Sequence, residues 1–462
     1  MLFSSLDFLF FFIPYFFLHL VLPVRWRIDL IIIGSLIFYS YWYPMYFWVP
    51  LLLTFIGYYG AISIDKSRAR KRYFVITLIL LFVPLILFKY SDFIIYQFTD
   101  VNNFKQYELG WSLPLGVSFI TFTMVAYIVE SYKKHYPVEN DFKSLLAYVL
   151  FFPQLIAGPI IRPSQLLPRL HNLKEKVNIH FVKLGLFIFT IGLLKKIVFA
   201  DQIGIMVDET YMNHESVNGL EVILASYGFS LQIYCDFSGY TDMAVGLGLI
   251  LGVRLPRNFN KPYLATSISD FWRRWHITLS TWLRDYLFFP LGGSRVGASK
   301  TVRNLIITMV IGGIWHGAGW TFIIWGLLHG LALAFTHVFR TTQKTTVNNN
   351  AWRILKIFLV FNFISLSWIF FRSPDLTVAL DMITALSVHD FENINIFLQN
   401  NLFYFLLITV FLATHNIDSI ANYRLFFQKH NALTIFLACS IIWILVITLG
   451  SSSSNSFIYY DF

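Results

Sequence analysis

Charged residues are scarce in this sequence. Only 13% of its 462 residues are Asp, Glu, Lys or Arg, whereas a soluble globular domain carries about 25%. Apolar residues make up 57% of the chain, and Phe alone occurs 49 times. A water-soluble fold of this length cannot bury so many apolar side chains, and their exposure to water is unfavourable. The composition therefore excludes an ordinary soluble protein and predicts an integral membrane protein.

The sequence has only two cysteines and lacks the common catalytic motifs. The two cysteines, Cys235 and Cys439, lie in apolar segments, which excludes a disulfide framework and predicts packing roles. No HExxH, GxGxxG, GxxxxGK[ST] or GxSxG motif occurs. There is no internal repeat, which weakens the case for a transporter built from inverted halves. The net charge is +10, but no soluble basic domain is present, so nucleic-acid binding is not expected.

The sequence instead contains a series of long apolar runs. Runs of roughly 17–25 apolar residues predict transmembrane helices, whereas a membrane barrel needs shorter, alternating segments. We therefore predict an all-α polytopic membrane protein with about 11 spans, among them a retained N-terminal helix. Two shorter runs, 144–156 and 304–315, predict re-entrant or half-membrane pieces. The predicted spans are 2–21, 28–43, 47–64, 73–88, 113–131, 179–199, 220–252 (one helix or two), 320–339, 352–371, 397–415 and 432–449.

The distribution of charge predicts the orientation in the membrane. Segment 65–72 is strongly basic, and segment 254–303 holds nine Lys or Arg against two Asp. Segment 200–218 has four acidic residues and no Lys or Arg. Because basic loops stay on the cytoplasmic side, we expect the two basic segments in the cytoplasm and 200–218 outside, with both termini outside. The net positive charge then follows from topology and anionic lipid.

Polar residues at membrane depth indicate where function lies, since burying them is unfavourable without a use or a partner. In segment 254–295, Ser269 or Asp270 is expected to cap a helix that continues to about Leu287. On that helix Trp272 and His276 share an apolar face. A surface helix anchored by Trp and Arg would explain the arginines but not His276. The alternative makes His276 part of a site entered from the cytoplasm, with Arg273 and Arg274 available for an anionic group.

A second histidine occurs in a glycine-rich stretch, 311–330. His316 lies between Trp315 and Gly317, and glycines at this density permit a break in the helix. An imidazole at such a break suits proton transfer to or from a hydroxyl or thiol. The equally weighted alternative is a core histidine bonded to a freed carbonyl. For His329, deeper in a regular helix, we favour a structural role.

Two further runs carry polar groups. In 231–248, Asp236 and Asp242 are six residues apart and fall on opposite faces of an unbroken helix, which Ser238-Gly239 would kink. Structural ion pairs with the arginines of 254–284 are favoured for them over the orientation of a histidine. Segment 151–169 has four prolines, so we expect an irregular loop in which Gln154 supplies a polar side chain.

Four segments resemble a known family. They are FPQLIAGPIIRP (152–163), YCDFSGYTDMAVGLG (234–248), the RRWH block in 257–293 and GGIWHGAGWTFIIWGLLHG (312–330). They are similar to the membrane-bound O-acyltransferase superfamily, and within it to the bacterial branch typified by alginate O-acetyltransferase and the D-alanyl transferase of teichoic acids. The resemblance covers nearly the whole chain.

The resemblance implies that His316, in WHG, is the catalytic histidine, and that His276, in RRWH, occupies the second conserved position. It implies a single domain over 1–462: a ring of helices around a central funnel, with a catalytic core at 152–330 and surrounding helices at 1–150 and 350–462. No metal is expected, because two distant histidines make a poor zinc site. We expect further substrate- and donor-binding residues at Trp272, Arg273, Arg274, Asp236, Asp242, Asn258, Trp315 and Gln154.

The resemblance also implies the reaction partners. The expected donor is a cytoplasmic thioester, acetyl-CoA or an acyl group on a carrier's phosphopantetheine arm, with no bound cofactor. The expected acceptor is an exported or cell-envelope polysaccharide such as an alginate-like exopolysaccharide or peptidoglycan, reached with an extracytoplasmic esterase-like acetyltransferase as partner protein. The expected location is the bacterial inner membrane. Alternatives are D-alanyl transfer to teichoic acid, a transporter without covalent chemistry, and a structural subunit of an export complex.

Overall fold

The computed structural model describes residues 1–99, 108–156, 158–173, 177–340, 350–388, 394–450 and 458. Over these residues the secondary structure is helical and contains no β-strand, so the all-α prediction is confirmed. The chain divides into two compact units. The first unit comprises Met1–Phe189 and Tyr240–Pro256, and the second comprises Thr190–Gly239 and Arg257–Phe462.

The first unit begins with helices whose ends follow local capping rules. Ser5 accepts the Phe8 N–H at the start of α1, and Asp141 accepts two N–H groups at the start of α6, which satisfies otherwise orphaned donors. The helices are α1 (Leu6–Val21), α2 (Arg27–Ser40), α3 (Trp48–Lys66), α4 (Arg70–Phe98), α5 (Val117–Tyr132), α6 (Phe142–Leu150), α7 (Phe152–Leu155), α8 (Pro163–His171) and most of α9 (Ile179–Leu193).

The second unit contains most of the remaining helices. The stretch Leu194–Asp201, after α9, is a π-helix, and so is Arg284–Phe288. Helix α11 begins in the second unit and ends in the first. The helices are α10 (Gln202–Met212), α11 (Gly219–Ile250), α12 (Ile268–Arg274), α13 (Ile277–Leu283), α14 (Ala298–His316), α15 (Trp320–Arg340), α16 (Asn350–Arg372), α17 (Leu376–Ala385), α18 (Ile394–Asn400), α19 (Leu402–Thr414), α20 (Ile420–Lys429) and α21 (Ala432–Leu449).

Several helices are long and apolar enough to cross a bilayer. Within the described ranges these are α3 with the turn before it, α4, α15, α16 and α21. Helices α18 and α19 would add a sixth span, although they meet at a 67° bend. Helices α1, α5 and α17 are apolar but shorter. The protein is therefore a membrane protein, whereas the predicted count of about 11 spans is larger than the number that meets these criteria.

The structure decides one local prediction that was left open and corrects two others. Segment 220–252 is one continuous helix, α11, of 32 residues. The run 304–315 belongs to α14, which has 19 residues and is therefore about 28 Å long. Segment 151–169 is more regular than its prolines predicted, because Pro163 occupies the first position of α8, where its missing N–H is harmless.

Helices α14 and α15 form a close hairpin. A Cβ atom on Gly313 would lie 2.2 Å from the Phe322 carbonyl oxygen, so only glycine permits this approach. Helix α14 ends at His316, and Gly317 follows in an extended conformation. The predicted break at the glycine-rich stretch is confirmed. Since the turn joins two tightly packed helices, the backbone beside His316 is held in place from both sides.

Candidate active site

A left-handed turn at residues 274–278, the His276 corner, separates α12 from α13. Ser267, rather than Ser269 or Asp270, caps α12 by accepting the Asp270 N–H at 3.1 Å. Helix α12 ends at Arg274, and His276 has φ +41°, a left-handed conformation that is unusual for a residue other than glycine. The predicted continuous helix to about Leu287 is therefore wrong. Such strained backbone persists only where surrounding contacts hold it.

Residues 258–260 supply those contacts. The Asn258 side-chain oxygen accepts the Thr278 N–H at 3.1 Å and the Thr278 hydroxyl at 3.0 Å. The Asn258 carbonyl accepts the Ile277 N–H at 2.9 Å, and the Asn260 N–H donates to the Arg274 carbonyl at 2.9 Å. The corner is thus bonded on both sides of His276. Asn258, expected to bind substrate or donor, lies beside His276 in a buried position.

The hydrogen bonding of His276 fixes its tautomer. Its Nδ1 accepts the Leu279 N–H at 3.3 Å, so the side chain caps α13 itself. In a neutral imidazole with Nδ1 as acceptor, the proton is on Nε2. The ring is fully buried and meets the Phe237 ring edge-on, with centroids 4.7 Å apart. His276 is therefore arranged to donate a hydrogen bond through Nε2 rather than to accept a proton.

Trp315 lies between the two histidines. Its ring centroid is 6.2 Å from that of His276 and 4.9 Å from that of His316, and both contacts are edge-on. His316 also meets Trp325 at 5.2 Å and Phe371 at 5.1 Å. The tertiary structure thus brings together two buried imidazoles that the sequence separates by 40 residues. An aromatic enclosure of this kind excludes water and strengthens hydrogen bonds and charges inside it.

Trp272 contacts a different histidine. Its indole N–H donates to His329 Nδ1 at 3.3 Å, and His329 Nε2 lies 3.1 Å from the Ser367 hydroxyl. The Ser367 hydroxyl itself donates to the Ile364 carbonyl at 2.7 Å. Both ring nitrogens of His329 therefore have partners, an arrangement that agrees with the structural role favoured for this residue. Trp272 acts here as an anchor between α12 and α15.

The two arginines before His276 share one carboxylate. Arg274 Nε lies 3.0 Å from Asp270 Oδ1, and Arg273 Nη2 lies 3.3 Å from the same atom. Burial tends to raise the pKa of Asp270, but the hydrogen bond and charge of Arg274, with help from Thr266 and Arg273, bring that pKa below its ordinary value. Asp270 is therefore ionised at neutral pH and neutralises part of this basic surface. The Arg273 side chain remains largely exposed.

Asp236 has a lysine partner instead of the predicted arginine. Lys196, on the π-helix Leu194–Asp201, places its Nζ 2.8 Å from Asp236 Oδ1 and 2.8 Å from Asp201 Oδ1. The Ile458 N–H donates to Asp236 Oδ2 at 2.8 Å. All three charged side chains are buried. The prediction that Asp236 forms an ion pair is correct, and only its partner was wrong.

A second buried ion pair adjoins the first. Lys195 Nζ lies 2.5 Å from Asp418 Oδ1, and the Tyr234 hydroxyl donates to Asp418 Oδ2 at 2.6 Å. His415 accepts the Tyr263 N–H at Nε2, at 3.2 Å. These contacts join α11, the turn after α19, the loop before α12 and the π-helix. Because Tyr263 and Asn258 lie in the same loop, these contacts hold that loop in place. Asn258 in turn bonds Thr278 beside His276, so the contacts support the His276 corner indirectly.

Gln154 and Asp242 belong to the first unit. The Gln154 side-chain N–H donates to the Tyr148 carbonyl at 2.6 Å. Its side-chain oxygen accepts no hydrogen bond from the described residues, and the residue lines a small cavity with Phe119 and Thr123. Asp242 is buried in α11. The remaining predicted residues, from Asp236 to His316, belong to the second unit.

Sequence reasoning missed Lys195, Lys196, His415 and Asp418. The signal was present, because two adjacent lysines interrupt the apolar run 179–199, and charges at membrane depth need partners. Within the described residues, no group of three or more His, Cys, Asp and Glu side chains is placed to hold a metal ion.

Known proteins resemble this chain over most of its length. The model of the membrane-bound O-acyltransferase family (MBOAT) matches residues 36–372. A peptidoglycan O-acetyltransferase from Helicobacter pylori is 39% identical over 427 residues, which cover 83% of this chain and 79% of that protein. A probable alginate O-acetylase AlgI from Pseudomonas aeruginosa is 36% identical over 395 residues, which cover 84% of this chain and 75% of that protein.

A more distant relative is named for the transfer of a different acyl group, D-alanyl. A teichoic acid D-alanyltransferase from Bacillus subtilis is 31% identical over 273 residues. That match covers 56% of this chain and 68% of the relative. Identity and coverage are both lower than for the two O-acetylating relatives.

Proposed function

This chain belongs to the membrane-bound O-acyltransferase family, and on that premise we propose that it O-acetylates a polysaccharide of the bacterial cell envelope. Relatives named for peptidoglycan and alginate O-acetylation support acetyl as the group transferred. The lower coverage of the D-alanyltransferase argues against D-alanine. The observation that carries the proposal is the pair of buried imidazoles at two helix breaks, held on either side of Trp315.

In the proposed reaction His316 is the general base. It takes the proton of the acceptor hydroxyl while the oxygen attacks the thioester carbonyl carbon. The new C–O bond forms, the C–S bond breaks, and the proton passes to the leaving thiolate. The donor is acetyl-CoA or an acyl-phosphopantetheine carrier, and the aromatic enclosure of His316 favours transfer to the acceptor over hydrolysis because it excludes water. A covalent acetyl-imidazole on His316 is the alternative route to the same product.

His276 assists as a hydrogen-bond donor. Because the Leu279 N–H donates to its Nδ1, the proton of the neutral ring is on Nε2, and we propose that this N–H stabilises negative charge on the carbonyl oxygen in the transition state. Donors aimed at developing charge in a water-excluded site are worth far more than in water. The two histidines therefore have different tasks, which their substitutions should separate.

We expect His276→Asn to retain much more activity than His276→Ala. Asparagine tolerates left-handed backbone, its oxygen can accept the Leu279 N–H, and its amide can donate. Alanine supplies none of these, so its kcat should fall about 10²–10³-fold, whereas the Asn variant should stay within about tenfold of the wild type. Steady-state kinetics on detergent-purified protein measure the difference. Equal losses in both variants would contradict a donor role.

The proposed membrane arrangement follows the family. We place the chain in the inner membrane as one domain with about 11 spans, arranged as a ring around a funnel. The basic segment 254–303 faces the cytoplasm, where the thioester is available, and 200–218 faces outside. Arg273 and Arg274 bind the anionic groups of the donor at the cytoplasmic entrance. Trp272, Trp315, Asn258, Asp236, Asp242 and Gln154 are proposed to shape the path of the acyl group.

Acceptor delivery is proposed to involve a second protein. An extracytoplasmic esterase-like acetyltransferase would receive the acetyl group or present the polysaccharide.

Radiolabelled acetyl-CoA tests the function directly. In vesicles containing the full-length protein, we expect loss of acetyl from the thioester and its appearance as alkali-labile ester on glycan added to the opposite side. A pure transporter would move substrate without consuming the thioester. Mass analysis of envelope glycans with and without the gene provides the cellular counterpart, and unchanged acetylation would overturn the proposal.

A further inference from the structure

A polar pocket lies away from the two histidines, at the end of the second unit where α10 and α11 meet. Its volume is about 450 Å³, within the usual range for small-molecule sites, and it opens to the surface, where Glu209, Asn213 and Asn400 are exposed. Helices α10, α11, α18 and α19 and the turn between α10 and α11 form its walls. Its polar lining includes Glu209, Glu221, Asn213, Asn401 and Tyr404.

We propose that this pocket binds a neutral segment of the acceptor glycan. This inference rests on the proposed function and adds to it a binding location and a preference for uncharged sugars. Sugar hydroxyls both donate and accept, and the pocket offers carboxylates, amides and hydroxyls that match both roles. Phe397 and Tyr404 add aromatic surface in the same wall. Pockets of this kind combine apolar surface with a few polar groups that fix orientation.

Some of these groups keep their hydrogen-bonding capacity for a ligand. The Asn213 and Asn401 amides donate to backbone carbonyls at 2.9 and 3.0 Å, which orients them and leaves their oxygens to accept. One Glu221 oxygen accepts the Asn218 N–H at 2.8 Å. The Glu209 side chain is exposed, and as a carboxylate it is a stronger acceptor than the amide oxygens beside it.

The charge of the lining indicates which glycan fits. Two carboxylates line the pocket, and none of its described lining residues is Lys, Arg or His. A uronate unit would bring a further carboxylate against Glu209 and Glu221, and like charges repel. An uncharged hexose or hexosamine meets no such repulsion. The pocket thus favours a neutral glycan over a polyuronate such as alginate.

The position of the pocket fits a polymeric acceptor. Asp208, next to Glu209, pairs with Arg372 at 2.6 Å, and the neighbouring Phe371 contacts His316. The wall is therefore linked to the element that packs on His316. Yet Phe237, beside His276, follows the pocket residue Leu224 by 13 residues on α11, or about 20 Å along the helix. A chain of several sugar units would be needed to engage the pocket and reach toward the histidines.

Binding of two tetrasaccharides to the full-length purified protein tests the inference. By saturation-transfer NMR and competition, we expect chitotetraose, which is neutral, to bind at least about tenfold more tightly than tetramannuronate. Glu209→Gln should weaken chitotetraose binding about fivefold, because a neutral amide oxygen is a weaker acceptor. The same change should strengthen tetramannuronate binding, because it removes repulsion.

Glu215→Gln is the matched control. Glu215 is an exposed glutamate of the same turn region that does not line the pocket, so both affinities should stay unchanged. Equal binding of the two glycans, or no effect of Glu209→Gln, would overturn the inference. Loss of a partner protein's binding in Glu209→Gln, with chitotetraose binding intact, would also overturn it and identify a protein-docking site. Thioester consumption by the wild type, measured in vesicles, reports separately on the proposed function.

Discussion

His316→Ala is expected to abolish acetyl transfer while the protein still folds. General acid–base catalysis by a positioned side chain contributes roughly 10²–10⁴-fold, and loss of a nucleophile would cost at least as much. His316 ends α14 at the break before α15, and aromatic rings surround it. Its removal therefore leaves the helices intact but takes away the group placed to move the proton. Acetyl release from labelled thioester should fall by about 10³-fold or more.

Two further variants make this test specific. His316→Gln keeps a polar side chain but cannot accept a proton, so it should be as inactive as the alanine variant. His337→Ala removes a histidine farther along α15, away from the break, and should leave activity unchanged. If His316→Ala retained acetyl transfer at normal expression, neither the base nor the acyl-carrier role could stand. Mass spectrometry of acid-quenched protein separates those two roles, since only the carrier leaves acetyl on His316.

Lys196→Met is expected to have the largest effect on stability. Lys196 neutralises Asp201 and Asp236 at 2.8 Å each, and all three side chains are buried. Methionine has a similar shape but no charge, so two carboxylates would remain buried without a cation. Removing one partner of a buried pair costs about 3–5 kcal/mol. For a chain of this length that corresponds to a drop of roughly 3–5 °C in the unfolding temperature.

An exposed ion pair provides the comparison. Lys143 lies 2.7 Å from Asp29, but its side chain is 63% exposed, and exposed pairs contribute about 0–1 kcal/mol. Lys143→Met should therefore leave the unfolding temperature nearly unchanged. A thermal-unfolding series in detergent compares the two variants. Equal, small shifts would mean that water reaches Lys196 and its carboxylates, which contradicts their burial.

The candidate site was partly visible in the sequence. His316 could be singled out because its neighbours include glycines that break a helix, and such effects act between residues close in the chain. His276 could be singled out as a polar residue among apolar ones, but the conformation around it could not. The sequence predicts the cap at Ser269 or Asp270, whereas in the structure Ser267 accepts the Asp270 N–H. The left-handed turn at His276 depends on the contacts of Asn258 and Asn260, which come from a different segment.

The partners of buried charges were beyond sequence reasoning. Asp236 was expected to need a cation, because an unpaired carboxylate in an apolar interior is unfavourable. Nearby arginines looked suitable, yet they pair with Asp270 and leave Asp236 to Lys196. Which cation meets which carboxylate depends on helix packing, since partners come from segments far apart in the chain. The same holds for Lys195 and Asp418.

The sequence by itself determined the class of protein, its helical nature and its family. Scarce charge, long apolar runs and the RRWH and WHG blocks are properties of composition and of short segments, and these need no knowledge of distant contacts. The tertiary structure alone decided the rest. It set the left-handed turn at His276, placed Trp315 between two imidazoles and brought two lysines to three carboxylates. The physical reason is that strain and buried charge are tolerated only where residues from several helices converge.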